Sequence, residues 1–99
     1  MTNGLNFVLS KEIIEKLSDK HNVSTVEVEE CFYNRCGDLC VDDRDKHRTD
    51  PPTQWFVSET DKGRKLKVIF VLNDSGICIK SAYDANEKIQ QLYVKQNRG

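Results

Sequence analysis

Arg64, two histidines, a group of lysines and two tyrosines late in the chain are the side chains here whose chemistry goes beyond packing. Arg64 follows the Thr60-Asp61-Lys62-Gly63 turn and precedes a strand-forming run, so it belongs at a sheet edge. Its planar fork can make two charge-assisted hydrogen bonds to a phosphate. His21 lies between two helix-forming stretches, and imidazole is the side chain best suited to moving protons near neutrality. Tyr83 stands where a strand gives way to a helix, where its hydroxyl can orient a phosphate or its ring can stack on a base. Tyr93 lies on the inner face of the last helix and offers a second phenol. Lys67 and Lys80 alternate with apolar residues in adjacent strands, Lys20 neighbours His21, and His47 sits in a charged loop. Trp55 adds a flat ring of the kind on which bases stack.

Metal-independent RNA cleavage needs a group that activates the ribose 2′-hydroxyl, a cation for the phosphorane, and a proton donor for the leaving oxygen. Arg64, His21, Tyr83 and Tyr93 form the candidate catalytic set, with Lys20, Lys67, Lys80, His47 and Trp55 as RNA contacts. Each has a plainer alternative. Arg64 can be a solvated hairpin charge, His21 can fix a turn, the lysines can mark the wet side of a half-exposed sheet, and the aromatic rings can pack.

No metal or cofactor is expected. Cys31, Cys36, Cys40 and Cys78 lack a second closely spaced pair, and two histidines without a third ligand make a poor site. Cys31 falls on an apolar helical face and Cys78 within a strand, positions typical of small buried hydrophobes. Asp42-Asp43-Arg44-Asp45 lacks the ligand spacing of a calcium loop. There is no phosphate-binding glycine loop and no dinucleotide fingerprint.

The elements that must position these groups are readable in outline. At 99 residues, 37% hydrophobic and 31% charged, the chain is the size of one domain spanning 1–99. So small a core has room to gain from a partner or a homodimer. The formal charge of −1 conceals an excess of six basic over three acidic residues from Lys65 onward. No segment has the apolar length to span a membrane, and the N-terminus lacks a basic start, so the cytoplasm is the default expectation.

Ser10 caps a helix to about Asp19 with Ile13, Ile14 and Leu17 as its apolar stripe. Ser24 and Glu27 form a capping box, with Val23 and Val28 at the staple positions, and Val28, Cys31 and Phe32 share one face. Gly37 marks a stop shortly afterwards. Leu39-Cys40-Val41 is a short candidate strand, and residues 42–52 form a polar surface loop closed by Pro51 and Pro52. Strands follow around Trp55–Val57, over Lys65–Leu72 and over Ile77–Tyr83, joined by short turns that favour antiparallel neighbours. Trp55 and Phe56 point to opposite sides, leaving at least one near the surface. Asp84 and Glu87 suggest a capping box for a last helix to roughly Gln96, with Ile89, Leu92 and Tyr93 inward. The expected class is α+β: two N-terminal helices, a three- or four-stranded antiparallel sheet and a C-terminal helix.

This order, with Lys20-His21-Asn22-Val23-Ser24, the helix from Val26 to Phe32, Gly63–Phe70, Ile79-Lys80-Ser81-Ala82, Ala85 and Leu92-Tyr93, resembles the BrnT-like branch of the RelE/ParE toxin superfamily. The resemblance runs from about Phe7 to Tyr93. It implies a RelE-like fold and a small bacterial ribonuclease toxin neutralised by an antitoxin protein. The chain departs from that pattern at Ile13 (a lysine in the family), at Tyr83 (an arginine) and at Ile89 (an acidic residue). A scaffold that binds protein or RNA without cleaving it is therefore the competing expectation.

Overall fold

The computed structural model describes residues 6–41 and 52–98, except the side chains of 97 and 98. His47 and nearly all of the expected polar loop lie outside the described residues. The elements run β1 (Phe7–Val8), α1 (Lys11–His21), α2 (Thr25–Tyr33), β2 (Cys40–Val41), β3 (Thr53–Glu59), β4 (Lys65–Asn73), β5 (Gly76–Asp84) and α3 (Glu87–Arg98).

Local signals account for the helix pair. The Ser10 hydroxyl accepts from Ile13 N at 3.2 Å and starts α1. Asn22 ends it in the left-handed region at φ 54°, its N–H reaching the carbonyls of Leu17 and Ser18. The Ser24–Glu27 box is complete, with bonds of 3.0 and 3.2 Å in the two directions. Val23 and Val28 are both buried. The helix stops at Tyr33, with Asn34 as its C-cap, before Gly37 is reached.

The sheet differs from expectation in one respect. It has five strands in the order β1-β5-β4-β3-β2 and is mixed, because β1 pairs in parallel with β5. The other neighbours are antiparallel, including the short β2 against β3. Two residues next to the N-terminus carry no periodicity, and a parallel partner far along the chain leaves no turn signature. The pairing is held by Ile77 N–H donating to Asn6 O at 2.8 Å and by the Asn6 side-chain amide donating to Ser75 O at 2.6 Å. Gly76, at φ 126°, permits this approach: a Cβ there would collide with the Asn6 carbonyl.

Strand alternation divides the core. On one face Phe56, Leu66, Val68, Phe70, Ile79 and Ala82 pack with Leu17, Val28 and Cys31 of the helix pair. Phe32 is the wedge, its ring 4.7 Å from Phe56, 5.2 Å from Phe70 and 5.0 Å from Phe7, all edge-on. On the opposite face α3 brings Tyr93 to 5.7 Å from Trp55. Trp55 and Phe56 do point to opposite sides, yet neither is at the surface. Among the expected inward residues, Ile14 and Leu92 are exposed, while Ile89 is half-buried and Tyr93 buried.

The cap of α3 also differs. Asn86 accepts from Ile89 N at 2.8 Å, while Asp84 turns away to Arg64. None of the four cysteines is in a disulfide: Cys31 and Cys40 are buried, Cys36 is exposed and Cys78 is intermediate. Burial, with the nearby Glu27 and Glu30 carboxylates, pushes the Cys31 thiol up to about 12, so it is an inert packing group. No helix among the described residues is long and apolar enough to cross a membrane. Asn86→Ala is expected to lower unfolding free energy by about 1 kcal/mol, read from chemical denaturation, through loss of the cap.

Candidate functional site

Lys67 of β4 stands opposite Tyr83 of β5, on the sheet face away from the helix pair. Its ammonium lies 4.6 Å from the Trp55 ring centroid and 6.0 Å from that of Tyr83. His21, at the end of α1, reaches around the β5 edge so that its ring is 5.4 Å from Tyr83. With the Trp55–Tyr93 contact this makes an unbroken row, His21, Tyr83, Lys67, Trp55 and Tyr93. Five residues singled out from sequence therefore come together, drawn from α1, β3, β4, β5 and α3.

They are not equally accessible. Trp55 and Tyr93 are buried, and the Tyr93 hydroxyl donates to Asp38 O at 2.8 Å. That pair anchors α3 to the sheet. His21, Tyr83 and Lys67 are half-buried and keep open surface. Lys20 is exposed in the last turn of α1. Lys80 is exposed at an irregularity of β5, since Ile69 pairs with Ser81 and Phe70 with Ile79, leaving Lys80 without a β4 partner.

Arg64 is placed beside this row but points inward. Its Nε donates to one Asp84 oxygen at 2.7 Å and an Nη to the other at 3.1 Å. The remaining N–H groups reach His21 O at 3.1 Å, Asn22 O at 2.8 Å and the Glu27 carboxylate at 3.2 Å. All five guanidinium N–H groups thus have protein acceptors. In this arrangement Arg64 holds His21 and Tyr83 in place by fixing the backbone of one and the neighbour of the other.

The electrostatics follow from that clasp. The hydrogen bonds and charge of Arg64 hold the Asp84 carboxyl below its ordinary range, with a contribution from nearby His21. Burial works to raise Glu27, but the Ser24 amide and Arg64 outweigh it and the net shift is downward. The guanidinium is raised in turn, chiefly by its hydrogen bonds to Asp84.

Glu27 and Asp84 are site-supporting residues that sequence reading missed. Both have the acidic character of a helix start, and Glu27 does serve its capping box; nothing local signals that each also has an oxygen for Arg64. Among the described residues no group of three or more His, Cys, Asp or Glu is arranged to hold a metal ion. No family model, curated protein or solved structure matches the chain.

Glu27 and Asp84 have folded-state values below their ordinary 4.5 and 3.8, so their contribution is fully present above those values and is lost as pH falls through the lowered ones. Arg64→Ala is expected to cost roughly 2 kcal/mol at neutral pH, discounted for partial exposure. The gap between wild type and variant should narrow as pH drops from about 7 to about 3, measured by urea unfolding across that range.

Proposed function

We propose that the face bearing His21, Tyr83 and Lys67 acts on RNA as a metal-independent endoribonuclease. The observation that carries this is the contact of an imidazole with a phenol at 5.4 Å, with an ammonium 6.0 Å from the same phenol ring. His21 takes the proton of a ribose 2′-hydroxyl as that oxygen bonds to phosphorus. The bond from phosphorus to the 5′ oxygen breaks, and that oxygen receives a proton from Tyr83. Lys67 and Lys80 offset the phosphate charge, and Lys20 extends the cationic margin. Arg64 is a positioning residue in this scheme.

The finer fold reading, a RelE-like scaffold of the BrnT-like branch, belongs to the same proposal. Its support is the helix pair on one sheet face, the antiparallel run β3-β4-β5 and the C-terminal helix crossing the other face. Two departures from the family pattern, Ile13 and Ile89, are half-buried packing positions here, and the third, Tyr83, lies in the proposed site. An antitoxin-like protein partner and a cytoplasmic setting are part of this reading.

RNA binding without cleavage is the second reading. It is favoured by the complete engagement of Arg64 by protein acceptors. One assay separates the two: purified protein, freed of contaminating nuclease, is incubated with mixed RNA in a chelator. Cleavage giving cyclic or 3′ phosphate ends is expected, with a loss of about a hundredfold for His21→Ala and about tenfold for Tyr83→Phe. Lys67→Ala should weaken binding and reduce the salt slope by about one. Salt-dependent binding with no cleavage would favour the second reading, and absence of both would remove RNA from this face.

A further inference from the structure

Among the described residues, the outer edge of β3 is paired for only part of its length. Thr60 N–H donates to Arg64 O at 2.9 Å, which sets the phase of the β3–β4 hairpin. By alternation, residues 56, 58 and 60 turn their main-chain groups towards β4, while Trp55, Val57 and Glu59 turn theirs away. β2 meets the outward groups of Trp55 through the Cys40 register. Continued backwards, that register would set Asp38 opposite Val57. The chain leaves the ladder first, since Tyr93 on α3 holds Asp38 O at 2.8 Å and Arg35 holds Gly37 O.

The divergence opens a cleft of ≈ 690 Å³ between β3, α3 and the segment after α2. Val57 forms its floor, Tyr93 and Val94 one wall, and Cys36 and Gly37 the other. Asn34 takes Glu59 O at 3.0 Å. Among the described residues nothing pairs with the outward N–H and C=O of Val57 or with the N–H of Glu59. Glu59 and Asp61 outnumber Lys65 along the cleft, and Val94 is 54% exposed beside it.

We propose that this cleft accepts an extended segment of a partner polypeptide, which adds to the sheet beside β3 where β2 stops. Three main-chain groups at strand spacing ask for a strand, because only another backbone returns donor and acceptor in that alternation. The volume lies within the range of about 300–1,000 Å³ that takes a compact ligand, so it suits a few residues and not a domain. Side chains opposite Val57 and Glu59 emerge on the α3 side. The first meets Tyr93 and Val94 and should be aliphatic; the second lies by Glu59 and Asp61 and should be basic. In an antiparallel partner this reads basic, any residue, aliphatic. The proposal does not depend on the RNA reading and concerns a different face of Tyr93.

The test is an amide titration of the full ¹⁵N-labelled chain with acetyl-Thr-Lys-Thr-Val-Thr-amide and with its Lys-to-Glu analogue. The lysine peptide is expected to shift the Val57 and Glu59 amides and slow their exchange, and the glutamate peptide to bind more weakly. Val57→Pro removes an outward N–H while sparing the bonds to β4, so β4 and β5 protection should persist while affinity falls about tenfold. Val94→Arg, at an exposed wall position, should lower affinity to a similar degree and guards against misfolding of the proline variant. Shifts confined to His21, Lys67 and Tyr83, no binding of either peptide at millimolar concentration, or wild-type affinity in both variants would overturn the proposal. Protection of Val57 that rises with protein concentration alone would assign the edge to a second copy and overturn it equally.

Discussion

The Arg64 guanidinium is the interaction on which the arrangement of this protein turns. Its side chain is 26% exposed and joins the helix pair to the end of β5, both distant from it in sequence. It takes the terminal carbonyls of α1, the capping glutamate of α2 and the last residue of β5. Removing a guanidinium from water is costly, and five protein acceptors are what offset that cost. The result is a polar clasp that sets where the helix pair sits along the sheet, complementing the apolar wedge of Phe32, which sets how deeply it packs.

The clasp shapes the candidate site indirectly. Because Arg64 binds the carbonyl of His21 and the carboxylate next to Tyr83, it brings the end of α1 to the end of β5. The imidazole and the phenol meet as a consequence. An arginine that would suit a phosphate in isolation acts here on backbone carbonyls and two carboxylates of the protein itself.

Uneven coverage of the second sheet face has its own cause. α3 is anchored by Trp55 and Tyr93, with Gln90 tied to Ala85 O at 2.7 Å. Among the described residues, a helix held mainly by one buried ring covers only part of this face. The row from His21 to Lys67 lies on one side of Tyr93, and the edge of β3 that the described residues pair only in part lies on the other. Much of the chemistry available to this small protein arises from that partial cover.

Much of the local structure was legible in the residues. Ser10, Ser24 with Glu27, and the turns ahead of Arg64 and Ile77 signal their elements because caps and hairpins are contacts within a few residues. The α+β class and the antiparallel β3-β4-β5 run follow from the same short-range chemistry. The parallel β1, the shift of the α3 cap from Asp84 to Asn86, and the burial of Trp55 beside Phe56 were decided by residues distant in sequence. So was the site: residue types nominated His21, Tyr83 and Lys67, but only packing could bring them together and turn Arg64 inward. Sequence fixes which hydrogen-bonding groups exist and which neighbours they reach along the chain; competition among distant acceptors for one half-buried cation is settled only when the layers close.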